Sequence, residues 1–348
     1  MNLASVKHRF KSLIPDRSSK LEKKGHANRY AFFAIVRKEF TDNIRSWRII
    51  ILLTIIMLAY FGSLYTAITT ITDSLDSKES EKAIGGSSYL FLKLFTVSDG
   101  SLPPFITFVS FLGPLFGIAL GFDAINSERN KGTLSRLVSQ PIPRDYILNA
   151  KFTSSLFLNT VLFFSLGFIV MALGILVLGI PPTAEEFARI VCFLTLCIVY
   201  IAFWLNLGIL FSVFFKNSAT SALTGIAVWI FFYMFYNMIV QLIGKSLLNP
   251  ENLSSMADAV DKQGMVLNLM RLSPNYLFSE STTILLSPSV RSLGPVLREQ
   301  MVGAVASPLP LNQSLLLIWP QLTGLLAATI ICFAISYAIF MRQEIRSN

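Results

Sequence analysis

The chain has 348 residues, of which 53% are hydrophobic and only 14% charged, and it carries a formal net charge of +9. Soluble globular domains hold about 25% charged residues, so a water-soluble fold is excluded and an all-α integral membrane protein is expected. The only histidines, His8 and His26, precede every apolar run, and Cys192, Cys197 and Cys332 all lie inside such runs. That distribution argues against histidine-ligated zinc chemistry and against a disulfide framework, and leaves the cysteines as small apolar residues.

Residues 1–28 are basic and poor in large apolar side chains, which predicts a mobile tail. Over 29–47, Phe33, Val36, Phe40, Ile44 and Trp47 recur at spacings of 3, 4, 4 and 3, the stripe of an amphipathic helix lying in the membrane interface. A soluble helix packed on the protein's own loops is the alternative. The first apolar run starts near Ile49, too deep for the apolar core of a secretory signal.

Six runs reach the roughly 20 residues needed to cross about 30 Å of hydrocarbon: 49–71, 104–122, 152–179, 188–215, 218–243 and 314–341. Backbone groups in lipid need internal partners, so each run is expected to be a helix. Strands of a barrel would show ten-residue alternation, which is absent. Two outer segments, 72–103 and 244–313, separate the spans. The second has helical candidates near 252–271 and 276–287 and reads as a small cap beside the membrane.

Lys and Arg settle the expected orientation. With the N-terminus inside, the inner pieces hold 20 of them and the outer pieces 9, which places both termini in the cytosol. The net charge is therefore a topology signal and a contact for anionic lipid, not a nucleic-acid footprint.

Span two carries Gly113, Gly117 and Gly121 with Pro114 beside the first. Small residues four apart make a smooth face for close helix contact, inside one subunit or across a dimer. Asn159, Asn206, Asn237 and Gln241 are the polar groups of the spans. They line a substrate path or make interhelical hydrogen bonds, the commoner use. No G-x-x-x-x-G-K-[ST] loop exists: Gly244-Lys245-Ser246 ends like one, but Ile239 stands at its start. The spans hold almost no ionisable residues, whereas ion-coupled carriers usually carry some. Neither an enzyme nor an ion-driven carrier is favoured.

Between spans two and three, residues 122–151 read FDAINSERNKGTLSRLVSQPIPRDYILNAK, a charged, helix-compatible stretch with five basic residues. The run Phe122-Asp123-Ala124-Ile125, then Ser127-Glu128-Arg129, Gly132-Thr133-Leu134, Leu137, Pro143-Arg144 and Lys151 resembles the loop of ABC-2 type transporter permeases. Asn149-Ala150 stands before Lys151 where those loops usually have Gly. The six spans, Ser273–Phe278 (SPNYLF) and the ending Phe340, Arg342, Glu344, Ile345 extend the resemblance over most of the chain.

The resemblance implies a permease subunit in the cell membrane that serves an exporter. It implies a coupling helix, from about Asp123 to Val138, docked on a separate cytosolic ATPase that binds ATP and Mg. This chain itself would hold no cofactor and no metal. Asp123, Glu128, Arg129, Gly132, Thr133, Leu134 and Leu137 would form the contact, with Glu128 and Arg129 pairing with charges on the ATPase. Partners would be that ATPase, a second permease subunit (identical or related) and membrane lipid, with no nucleic acid. The alternative is a non-transporting module that passes ATPase-driven motion to an outer partner.

Overall fold

The computed structural model describes residues 17–76, 89–133, 139, 143–179, 181–248, 256–289 and 308–343. Among them there is no strand. The helices are α1 (Arg17–Arg45), α2 (Trp47–Asp76), α3 (Leu90–Thr96), α4 (Phe105–Gly121), α5 (Asn126–Asn130), α6 (Arg144–Leu178), α7 (Ala184–Phe214), α8 (Ser218–Ile230), α9 (Tyr236–Leu247), α10 (Met256–Met270), α11 (Pro274–Leu286) and α12 (Leu311–Arg342). A π-helical turn, Phe231–Phe235, joins α8 to α9. Six segments are long and apolar enough to cross a membrane: Trp47–Asp73, Phe105–Asn130, Arg144–Val177, Ala184–Phe214, Ser218–Leu247 and Leu311–Arg342. The chain is an all-α membrane protein.

Local chemistry sets the helix ends. Thr183 and Glu186 form a capping box at the start of α7: Thr183 Oγ1 accepts from the Glu186 N–H at 3.2 Å, and Glu186 Oε2 accepts from the Thr183 N–H at 2.9 Å. Asn217 caps α8 by accepting from the Ala219 N–H at 2.9 Å. Gly179 ends α6 at φ 69°, a left-handed conformation that other residues adopt only at a cost.

Helix α7 is the axis of the bundle. Two-thirds of its most apolar window is buried, against 11% for the span made by α8 and α9. It packs on α4, α12, α6 and α11. The α4 contact is the closest. A methyl group added at Gly117 would stand 2.7 Å from the Ile201 carbonyl oxygen, and one at Gly121 only 2.4 Å from that of Leu205. Helix axes approach this closely only where side chains are missing on the facing side. Around the far half, Tyr60 stacks on Phe105 at 4.4 Å, and Phe105 meets Phe95 edge-on at 5.1 Å.

Helix α1 starts at Arg17, so the expected tail boundary at 28 falls within a helix. Residues 1–16 lie outside the described residues. The helix runs along α6, with Phe32 against Tyr146 at 5.5 Å and Phe40 against Phe157 at 5.3 Å. Of the expected stripe, Val36 and Phe40 are half-buried, while Phe33, Ile44 and Trp47 are exposed. Trp47 belongs to α2, since the helix breaks at Ser46. One side of α1 thus serves the protein's own helices and the other is left open.

Residues 244–313 do not stand wholly apart from the bundle. Helix α11 packs on α7 and α12, and α10 packs on α9. Residues 249–255 and 290–307 lie outside the described residues.

Candidate functional site

The loop after α4 is folded back on the bundle. Phe122 to Ile125 form a turn, and the N–H groups of Ile125 and Asn126 both donate to Ser212 Oγ of α7, at 2.9 and 3.2 Å. Helix α5 then lasts five residues. Gly132, at φ 65°, closes it, with its N–H donating to the Arg129 carbonyl at 3.1 Å. The helix expected from Asp123 to Val138 is therefore broken at Lys131-Gly132, because a left-handed glycine cannot continue it. Leu134 and Leu137 lie outside the described residues.

Glu128 is the centre of this end. Its carboxylate accepts from Lys38 Nζ of α1 at 3.0 Å and lies 3.7 Å from Lys151 Nζ of α6. The Thr133 hydroxyl donates to the same carboxylate and, at 3.2 Å, to the Glu128 carbonyl. Lys151 is 5% exposed and pairs with Glu39 at 2.8 Å. Two acids and two lysines from three helices thus form one network. Burial by itself would lower the Lys38 pKa, but Glu39 and Glu128 beside it raise it, so the ammonium form is held.

Asp123 accepts from Ser218 Oγ at 2.5 Å and pairs with Arg48 at 2.9 Å, and Arg48 also lies over the Phe122 ring at 5.2 Å. Arg129 donates to Gln343 Oε1 at 2.9 Å, and Gln343 Nε2 donates to the Val213 carbonyl at 2.8 Å. Glu128 and Arg129, expected to reach outward, are thus turned to partners within the chain. Among the described residues of the loop, Asn130, Lys131, Gly132, Ser139, Pro143 and Arg144 are exposed. Short polar contacts thus join the loop to α1, α6, α7 and α12.

The three glycines of α4 lie against Ile201, Leu205 and Gly208 of α7, as described above. The four span amides are not gathered in one place. Asn159 and Asn206 are buried, and each donates weakly at 3.5 Å, to the carbonyls of Ile198 and Thr329. Asn237 is half-buried and Gln241 exposed on α9. Among the described residues, no group of three or more His, Cys, Asp or Glu stands together as metal ligands would.

Sequence reasoning overlooked the far end. Arg189 is fully buried and paired with Glu185 at 2.9 Å. It donates to the Leu285 carbonyl at 3.0 Å, to Ser314 Oγ at 3.2 Å and to the Leu309 carbonyl at 2.5 Å, and it sits over the Tyr89 ring at 5.6 Å. Glu280 of α11 pairs with Arg271 at 2.8 Å and accepts from Gln321 of α12 at 3.0 Å. Tyr200 donates to Asn275 Oδ1 at 2.6 Å, and its ring stacks on Phe278 at 4.2 Å. The SPNYLF motif is thereby the anchor of α11 on α7. An available signal was Glu185 four residues before Arg189, the spacing of a helical ion pair.

Comparison with known proteins agrees with this architecture. Residues 33–345 match the family described as ABC-2 family transporter protein. A protein of Stutzerimonas stutzeri called "Probable ABC transporter permease protein NosY" is 27% identical over 165 residues. That match covers 45% of this chain and 58% of the relative, so the two align over little more than half of the relative's length. The family match spans nearly the whole described bundle and both ends of the network around Glu128, and on that ground the chain belongs to the ABC-2 family of transporter proteins, as a membrane subunit.

Proposed function

We propose that this permease sits in the cell membrane with the Glu128 end and both termini in the cytosol. There it couples ATP hydrolysis by a separate ATPase subunit, which binds ATP and Mg, to export of a substrate. A second permease subunit, identical or related, completes the transporter. The observation that carries the reading is the Glu128–Lys38–Lys151–Glu39 network, which ties the loop to two helices, α1 and α6. Docking uses the exposed face of Asn130 to Gly132, and Glu128 and Arg129 transmit the movement instead of making the contact. Asn237 and Gln241, on the least buried span, are the amides available beside a path between subunits, whereas Asn159 and Asn206 hold helices together.

The test is co-purification with the ATPase, comparing the unaltered chain with Asn130→Trp and Gly132→Trp, followed by ATPase assay in lipid bilayers. Loss of association with the thermal midpoint retained supports docking at the turn. Association and activity equal to the unaltered chain would sink it.

One observation favours a second reading. A groove of 720 Å³ runs along α10, lined by Val260, Asp261, Gly264, Met265, Asn268, Leu269 and Leu272. An outer partner seated there would make the chain a motor-driven module instead of a transporter. Cross-linking along α10 in whole cells separates the two readings.

A further inference from the structure

A cleft of 440 Å³ opens between α1, the start of α2 and the α4–α5 loop. That is within the range of about 300–1,000 Å³ typical of small-molecule sites. Five cations and four carboxylates line it. The carboxylates are committed: Glu39 and Glu128 to Lys151 and Lys38, Asp42 to Lys38 at 3.4 Å, and Asp123 to Arg48. Among the described residues, Arg45 and Lys131 have no carboxylate within ion-pair distance. Both are exposed and line the cleft, Arg45 from the end of α1 and Lys131 from the turn after α5. The mouth is therefore positive.

The remaining wall is mixed: Asn43, Ser46 and Ser127 are polar, and one part is apolar. Ile49 and Leu120, both buried, line the cleft with Ala119. Beside Arg48, an exposed stripe begins on α2: Trp47 at 74%, Ile51 at 46%, Ile55 at 49% and Leu58 at 72%. These positions recur at spacings of 4, 4 and 3, one side of a helix that is long enough to cross a membrane. Arg48 lines the cleft and adjoins the first turn of the stripe, so a cationic mouth stands near one end of an exposed apolar stripe, the layout of an amphiphile with charge at one end and chains at the other. A tryptophan at that boundary is in its preferred position.

We infer that this cleft binds the phosphate of an anionic glycerophospholipid, with Arg45 and Lys131 holding the headgroup and the acyl chains lying along Trp47, Ile51, Ile55 and Leu58. An acidic segment of a protein partner would satisfy the two cations but would have no use for the stripe. Each Lys or Arg near an anionic membrane surface contributes about 1 kcal/mol, so losing both should weaken retention about thirtyfold. The inference needs only that the start of α2 lies at the membrane edge; it shares Lys131 with the proposed docking turn, and the lipid measurements made without the ATPase test it separately.

The experiment uses the full chain, purified and delipidated in neutral detergent, without the ATPase. It is titrated with short-chain phosphatidylglycerol, the matched phosphatidylcholine or inorganic phosphate. The readouts are native mass spectrometry of bound lipid and the thermal unfolding midpoint. Arg45→Ala with Lys131→Ala is compared with the unaltered chain and with a control, Arg144→Ala with Lys216→Ala. The expected result is retention of phosphatidylglycerol over phosphatidylcholine, weakened about thirtyfold in the first variant and kept in the control. Equal retention of the two lipids, or undiminished retention in the first variant, overturns the site. A full midpoint shift with phosphate alone makes it a small-anion site and overturns the lipid assignment. A parallel pull-down in which the first variant keeps its lipid but loses the ATPase gives the cleft to a protein partner and also overturns it.

Discussion

The Glu128 carboxylate lies 3.0 Å from the Lys38 ammonium, although ninety residues separate them in the chain. The contact joins the loop between two spans to a helix that precedes all of them. Lys151, 5% exposed, sits behind it with both Glu39 and Glu128 in reach. Lys38 itself is half-exposed, so solvent discounts its own pairing.

Lys151 should therefore matter more than Lys38. Replacing Lys151 by Met strips the inner positive charge from two carboxylates and should cost about 3–5 kcal/mol, as breaking a buried pair does. Lys38→Met should cost under about 1 kcal/mol. Thermal unfolding in detergent gives the comparison, and the order Lys38 above Lys151 would contradict the network. A charge swap, Lys38→Glu with Glu128→Lys, should recover part of the loss seen in Glu128→Lys alone.

Gly121→Ala should be destructive where Gly113→Ala is tolerated. A methyl group at Gly121 meets the Leu205 carbonyl oxygen at 2.4 Å and the Ile209 nitrogen at 2.8 Å, both backbone atoms that cannot move aside alone. At Gly113 the nearest atom is Ile201 Cγ1 at 3.1 Å, on a side chain with some freedom. Forcing α4 from α7 should cost at least about 1–3 kcal/mol. The thermal midpoints of the two purified variants decide it.

Arg189→Met should loosen the far end without touching the loop. It leaves the carbonyls of Leu285 and Leu309 and the Ser314 hydroxyl without their shared donor. A cost of about 3–5 kcal/mol is expected for a buried, paired cation. Hydrogen exchange should rise at 308–314 and in the last turn of α11 and stay unchanged at 126–133. Uniform exchange over both ends would show that Arg189 does not act locally.

Tyr200→Phe separates the two bonds that anchor α11. It removes the donation to Asn275 and to the Ser110 carbonyl, which lies at 3.0 Å, and keeps the stack on Phe278. Its cost should be about 1–3 kcal/mol. Tyr200→Ala, which also empties the ring's place, should cost about 3–5 kcal/mol. Denaturation midpoints for the pair measure the difference.

The six crossings were legible in the chain because the signal is local: about 20 apolar residues in a row have no other stable place. The same holds for the caps at Thr183 and Asn217, where donor and acceptor are two or three residues apart. The direction of the loop's charges could not be read from its motif. Glu128 turns inward because Lys38 and Lys151, from two distant helices, meet at one point. Glycine is compatible with a continuing helix and with a left-handed end, and only the tertiary structure sets Gly132 at φ 65°, which ends α5 after five residues. The role of Arg189 was not legible in the chain, because its acceptors, the Leu285 and Leu309 carbonyls, are backbone atoms about a hundred residues away. Local hydropathy, by itself, determined which segments enter the membrane. Which polar groups meet was decided only by the packing of the helices, because a charge in a dry interior takes the partner that the fold brings within 3 Å, whatever its distance along the chain.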